Sequence, residues 1–102
     1  MNKDCFWKIS APPGHTIQAT FDDLNTESSL SGTCYDYVQI FDGFLQNDKP
    51  LGLDKYCGRR VPNTLLISSG NKMLVRFYSD SQNPKRGFQL TWKTTQQGVK
   101  KG

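Results

Sequence analysis

His15-Thr16-Ile17-Gln18-Ala19-Thr20-Phe21 alternates apolar and polar residues, so an extended chain puts Ile17, Ala19 and Phe21 on one face and Thr16, Gln18 and Thr20 on the other. That is the period of a half-buried strand. The same pattern recurs from Tyr37 to Phe41, where Val38 and Ile40 point one way, and from Met73 to Ser79, where Met73, Val75 and Phe77 do. Phe88, Leu90 and Trp92, interleaved with Gln89, Thr91 and Lys93, give a last strand whose apolar row is expected to be buried. Pro12-Pro13-Gly14, Asp42-Gly43, Ser69-Gly70-Asn71 and Asn83-Pro84 separate the segments with residues that accept positive φ or fix a turn's first corner. No window shows a 3.6-residue period or a capped helical start. The expected fold is an all-β, antiparallel β-sandwich. From Thr94 onward the alternation stops, so residues 1–93 read as the domain and 94–102 as a flexible basic tail.

The 102 residues make one domain with one core, and 35% hydrophobic content with 12% aromatic fits a thin β core rich in rings. The net charge of +4 does not point to nucleic acid. Lys100 and Lys101 lie in the tail, Arg59-Arg60 and Lys85-Arg86 read as solvated loop tips, and no stretch mixes basic with stacking residues. No apolar run approaches the roughly 18 residues of a membrane span. The N-terminus has no signal-peptide core, and Met1 is expected to begin an expressed fragment. Catalysis finds no support either. The single histidine, His15, follows Gly14 at a strand start, Ser68-Ser69-Gly70-Asn71 reads as a hairpin turn, and no nucleophile elbow, zincin or phosphate-loop motif is present.

Cys5, Cys34 and Cys57 are odd in number and lack C-x-x-C spacing, which argues against zinc and thioredoxin-like redox chemistry. One disulfide with one leftover thiol, or three free thiols, both satisfy the arithmetic. The carboxylates Glu27, Asp36 and Asp80 are hard oxygen donors of the kind Ca²⁺ takes. Asp22, Asp23, Asp42, Asp48 and Asp54 are equally acidic, so the residue types alone do not select among them.

A longer register makes the selection. The run begins with Cys5-Phe6-Trp7-Lys8-Ile9, Phe21 with Glu27, Tyr35-Asp36-Tyr37-Val38-Gln39-Ile40, Asp42-Gly43 and Leu51-Gly52. It continues through Tyr56-Cys57-Gly58, Ile67-Ser68-Ser69-Gly70-Asn71, Phe77-Tyr78-Ser79-Asp80 and Gly87-Phe88. In this order the chain resembles a CUB domain from Cys5 to Trp92. The resemblance implies a jelly-roll-like sandwich of about eight strands, secreted or extracellular, with a Cys34–Cys57 disulfide. It further implies Ca²⁺ held by Glu27, Asp36 and Asp80, with the Gln82 carbonyl, the Asn83 side chain, and Tyr35 packed beside the site. Domains of this family usually carry about twenty-five further upstream residues with a first cysteine. Cys5 is therefore expected to be unpaired, leaving dimerisation through Cys5 or an exposed sheet edge open. Cys34 abuts Tyr35 where the family more often has an intervening residue, and Gln82 stands where serine is common.

The function this resemblance implies is non-catalytic: an extracellular protein-recognition module whose calcium rim, at Glu27 and Asp80 with Tyr35, docks a Lys or Arg side chain of another protein. Two further readings accompany it. One is a calcium-independent module for acidic glycans using Arg59, Arg60, Lys85 and Arg86; the other is an accessory domain of an astacin-type or serine protease.

Overall fold

The computed structural model describes residues 3–26, 31–45, 48–59, 61–80 and 87–96. They form six strands: β1 (Lys3–Ser10), β2 (His15–Asn25), β3 (Tyr37–Phe41), β4 (Leu66–Ile67), β5 (Lys72–Ser79) and β6 (Gly87–Gln96). Two antiparallel sheets result, ordered β1-β5-β3 and β4-β2-β6. The sandwich expectation holds, with six strands among the described residues rather than about eight.

The sheets close on the alternating rows seen in the sequence. Ile17, Ala19, Phe21 and Leu24 of β2 pack on Val38 and Ile40 of β3 and Met73 and Val75 of β5, and all are buried. Each large aliphatic in that row contributes about 1.5–3 kcal/mol relative to exposure. Tyr56 seals one side of this core: its ring lies 4.9 Å from that of Phe21, while its hydroxyl donates to the Leu51 carbonyl and accepts from the Leu53 amide, each at 3.0 Å. Gly52 lies against that hydroxyl at φ 72°, so a Cβ would both strain the backbone and collide with it.

Two expectations about β6 are corrected. The strand runs to Gln96, three residues past the end of the alternation, because Ile17, Thr16 and His15 pair with Thr94, Thr95 and Gln96. Backbone pairing needs no apolar period. Trp92, expected in the core, is 47% exposed, as is Trp7 across from it on β1. Both sit on inward rows, but β1 and β6 each lie at an edge of their sheet. Between these edges Trp7, Ile9, Val75, Phe88, Leu90 and Trp92 line an open recess of about 340 Å³. Inward orientation on an edge strand thus does not guarantee burial.

Candidate functional site

β3 begins and β5 ends at the same end of the sandwich, since Tyr37 stands opposite Tyr78. Asp36 immediately precedes β3 and Asp80 immediately follows β5, which brings the two acids together. Asp36 is only 2% exposed, and its Oδ1 accepts a hydrogen bond from the Asp80 amide at 3.0 Å. Burial pushes the Asp36 carboxyl above its ordinary pKa; the Asp80 backbone amide opposes this, the nearby Asp80 carboxylate adds to it, and the Ser79 hydroxyl again opposes it. A carboxylate held out of water beside another acid is stabilised by a cation, and hard oxygens suit a hard one.

The chain leading to Glu27 is tied to the same place. The Thr26 amide donates to the Gly58 carbonyl at 2.9 Å, and the Gly58 amide returns a bond to Thr26 Oγ1 at 3.1 Å. Next to Gly58, Cys57 is bonded to Cys34 with a Cα–Cα distance of 5.7 Å. Two residues after Cys34 comes Asp36. The implied disulfide is therefore present, and it links the Cys57-Gly58 segment, to which Thr26 is hydrogen-bonded, covalently to the Asp36 segment. At the end of β2, Asn25 faces Gly87 and keeps Oδ1 buried without a hydrogen-bond partner among the described residues.

Asp36 and Asp80 are the two expected calcium ligands that the described residues bring together. Glu27, Gln82 and Asn83 lie outside those residues, as do Arg60, Lys85 and Arg86 of the expected basic loops. Among the described residues no group of three His, Cys, Asp or Glu side chains gathers as a metal cluster. Tyr35 is exposed beside Asp36, and Cys5 is free and exposed on β1. The Asn25 oxygen was not singled out from the sequence; only its burial without a partner marks it.

A family model described as CUB domain matches residues 1–92. The chain belongs to the CUB domain family. Tolloid-like protein 1 of Homo sapiens is 40% identical over 92 residues, which span 90% of this chain and 9% of that protein. Cubilin of Sus scrofa is 40% identical over 93 residues, 89% of this chain and 2% of the relative. Among solved structures, the CUB1-EGF-CUB2 domain of human MASP-1/3 superposes with a TM-score of 0.71 at 29% identity, covering 92% of this chain and 36% of that one. The full extracellular region of zebrafish Gpr126/Adgrg6 gives 0.74 at 34% identity, with 92% and 12% covered. This CUB domain thus spans a small part of the relatives it matches. It is an interaction module of a kind carried by extracellular proteins, and no helix among its described residues is long and apolar enough to cross a membrane.

Proposed function

We propose that this CUB domain is a non-catalytic, calcium-dependent recognition module that docks a lysine or arginine of a partner at the Asp36–Asp80 end. The observation that carries this reading is the buried Asp36 carboxyl placed against Asp80, with its pKa pushed upward. Asp36 would supply the inner carboxylate and Asp80 an outer one. Glu27, which follows the anchored Thr26, would supply the other outer carboxylate, with Gln82 and Asn83 adding oxygens from the segment after Asp80. Calcium, when bound, supplies the positive charge that lets these acids stay ionised together.

The residues of the chain then divide the work. Asp36, fixed by the Asp80 amide, orients the site from inside. Three carboxylates exceed the charge of one divalent cation, so Glu27 and Asp80 retain negative character toward solvent. Charge-assisted bonds from a partner's ammonium or guanidinium are directional and short, and a single basic side chain reaching both outer acids defines the docking pose.

Titration calorimetry of chelated, non-reduced protein with Ca²⁺, run beside Asp80→Ala, tests the metal step. Saturable one-site binding lost in the variant is expected. A lysine-bearing peptide that binds only in the presence of Ca²⁺ tests the docking step. Unchanged calcium binding in Asp80→Ala contradicts the ligand assignment.

A further inference from the structure

The outer face of the β1-β5-β3 sheet carries a second candidate surface of opposite charge. Asp4, Phe6 and Lys8 of β1 lie on that face with Lys72, Leu74 and Arg76 of β5, because the alternate residues Trp7, Ile9, Met73 and Val75 point inward. In the strand register Phe6 faces Arg76, Lys8 faces Leu74, and Ser10 faces Lys72. Lys8 and Lys72 are therefore diagonal neighbours, a separation of about 7–8 Å between backbones.

The turn after β3 folds beside this row. Asp48 holds it by accepting from the Leu45 amide at 2.9 Å and donating its own amide to the Leu45 carbonyl at 3.0 Å, and the Asp42 amide donates to the Lys49 carbonyl at 2.8 Å. Phe44 and Leu45 then wall an open recess of about 340 Å³ with Phe6, Lys8 and Leu74. Leu74 is buried, whereas Leu45 is 61% and Phe6 41% exposed. An apolar recess with two water-exposed lips is a receptacle for a side chain rather than a closed core.

Charge says what kind of side chain comes with it. Lys8 Nζ and Lys72 Nζ each lie 5.5 Å from the centroid of the Phe44 ring. Neither meets a carboxylate within ion-pair distance among the described residues. Arg76, on the same face of β5, differs: Asp4 takes two of its N–H bonds at 2.8 and 2.9 Å, and Gln39 takes a third at 3.0 Å. The acid nearest in sequence to Phe44 on the far side of the turn, Asp48, is turned to the Leu45 amide. Two ammoniums drawn to one ring repel each other, and a carboxylate between them removes that repulsion.

We propose that the recess at Phe44, flanked by Lys8 and Lys72, binds an acidic segment of a partner protein, with an apolar side chain entering between Phe6, Leu45 and Leu74 and a neighbouring carboxylate bridging the two lysines. A sulfated glycan matches the lysines but leaves the apolar recess empty. An acidic peptide with an apolar residue matches both. This site is independent of the calcium reading, since it uses none of the same residues and the opposite charge.

The test uses a capped pentapeptide of acidic residues around a central phenylalanine, followed by amide shifts in ¹⁵N-labelled, non-reduced protein under chelation. Saturable shifts centred on Phe6, Lys8, Phe44, Leu45 and Lys72 are expected. Lys8→Glu combined with Lys72→Glu weakens binding about a hundredfold, and Leu45→Asp about tenfold, both with an otherwise native amide spectrum. Replacing the central phenylalanine by alanine weakens the peptide about tenfold or more. The proposal is overturned by an absence of shifts, by shifts that survive the charge reversals, or by equal binding of the alanine peptide. Saturation of the same amides by a heparin tetrasaccharide but not by the peptide reassigns the surface to glycan. Concentration-dependent self-association lost in Leu45→Asp reassigns it to a second copy of this chain.

Discussion

At one end of β5, Ser79 and Asp80 abut a carboxyl, Asp36, that is almost wholly buried; at the other end, Lys72 holds its ammonium over the Phe44 ring in water. The two regions carry opposite charge, and they differ more in what that charge costs. A carboxylate taken out of water beside a second acid is destabilising until it gains a proton or a cation, which is why the Asp36 pKa rises. A lysine that lays its stem along apolar surface keeps its charge solvated and costs little. Burial thus raises the cost of charge at the acidic end, whereas the basic face carries only the weak repulsion of two solvated ammoniums.

Loss of the Cys34–Cys57 bond has the largest expected effect on that contrast. The bond closes a separation of 23 residues. Its removal by Cys34→Ser with Cys57→Ser costs about 3 kcal/mol in chemical denaturation. Because the bond also links the Cys57-Gly58 segment, to which Thr26 is hydrogen-bonded, to the Asp36 segment, calcium affinity is expected to fall with it, while peptide binding at Phe44 stays unchanged. Equal damage to both surfaces breaks the distinction between them.

Asp36→Asn comes next. It keeps an acceptor for the Asp80 amide but removes the buried charge. Calcium affinity is expected to fall by more than about 100-fold. The melting temperature without calcium should rise, as read by calorimetric scanning in chelator. A fall in that melting temperature shows that the Asp36 charge is already compensated within the chain.

Acid separates the two regions, because they respond to it with opposite sign. Asp36 has a raised folded pKa, so the folded state holds its proton more tightly than the unfolded chain does. Its contribution to calcium-free stability therefore falls as pH rises from the ordinary carboxylate value through the raised one. In the proposed site Ca²⁺ would compete with that proton, so its stabilising effect is expected to be full above the window and lost as pH falls through it. Asp4, lowered chiefly by its hydrogen bonds from Arg76 despite some burial, contributes stability above its unfolded pKa that is lost as pH falls through its folded one. Denaturation with and without Ca²⁺ across the acid range separates the two, and a calcium effect independent of pH contradicts the Asp36 assignment.

Smaller effects lie elsewhere. Trp92→Ala is expected to cost about 1 kcal/mol, well below the roughly 3–5 kcal/mol of a buried tryptophan, since the side chain is half exposed. Lys72→Glu changes stability by less than about 0.5 kcal/mol and leaves calcium binding unaltered. A Trp92 cost in the buried range shows that the recess between β1 and β6 is covered in solution.

How far the sequence carried these regions follows from what each depends on. The Ile17, Val38, Ile40 and Met73 rows were legible because period two is a local property of a strand buried on one face. Trp92 was not, because its exposure depends on which strand lies beside β6, and topology is not written in alternation. β6 outran its pattern for a related reason: Thr94 to Gln96 are held by backbone bonds to β2 and by the Thr16–Thr95 hydroxyl contact at 3.2 Å, which leave no hydrophobic trace. At the acidic end, residue type singled out no acid, and the family register selected Asp36 and Asp80. The Phe44 recess was invisible, because Lys8 and Lys72 meet only through cross-strand register, and Phe44 reaches them by a turn whose path Asp48 sets.

An amide-shift titration of the non-reduced, ¹⁵N-labelled domain with Ca²⁺ decides whether the Asp36–Asp80 end binds the metal. Saturable shifts at Asp36, Ser79 and Asp80, with Lys8, Phe44 and Lys72 unmoved, are expected. A domain whose Asp36 and Asp80 amides stay fixed at saturating Ca²⁺ contradicts the calcium-dependent reading.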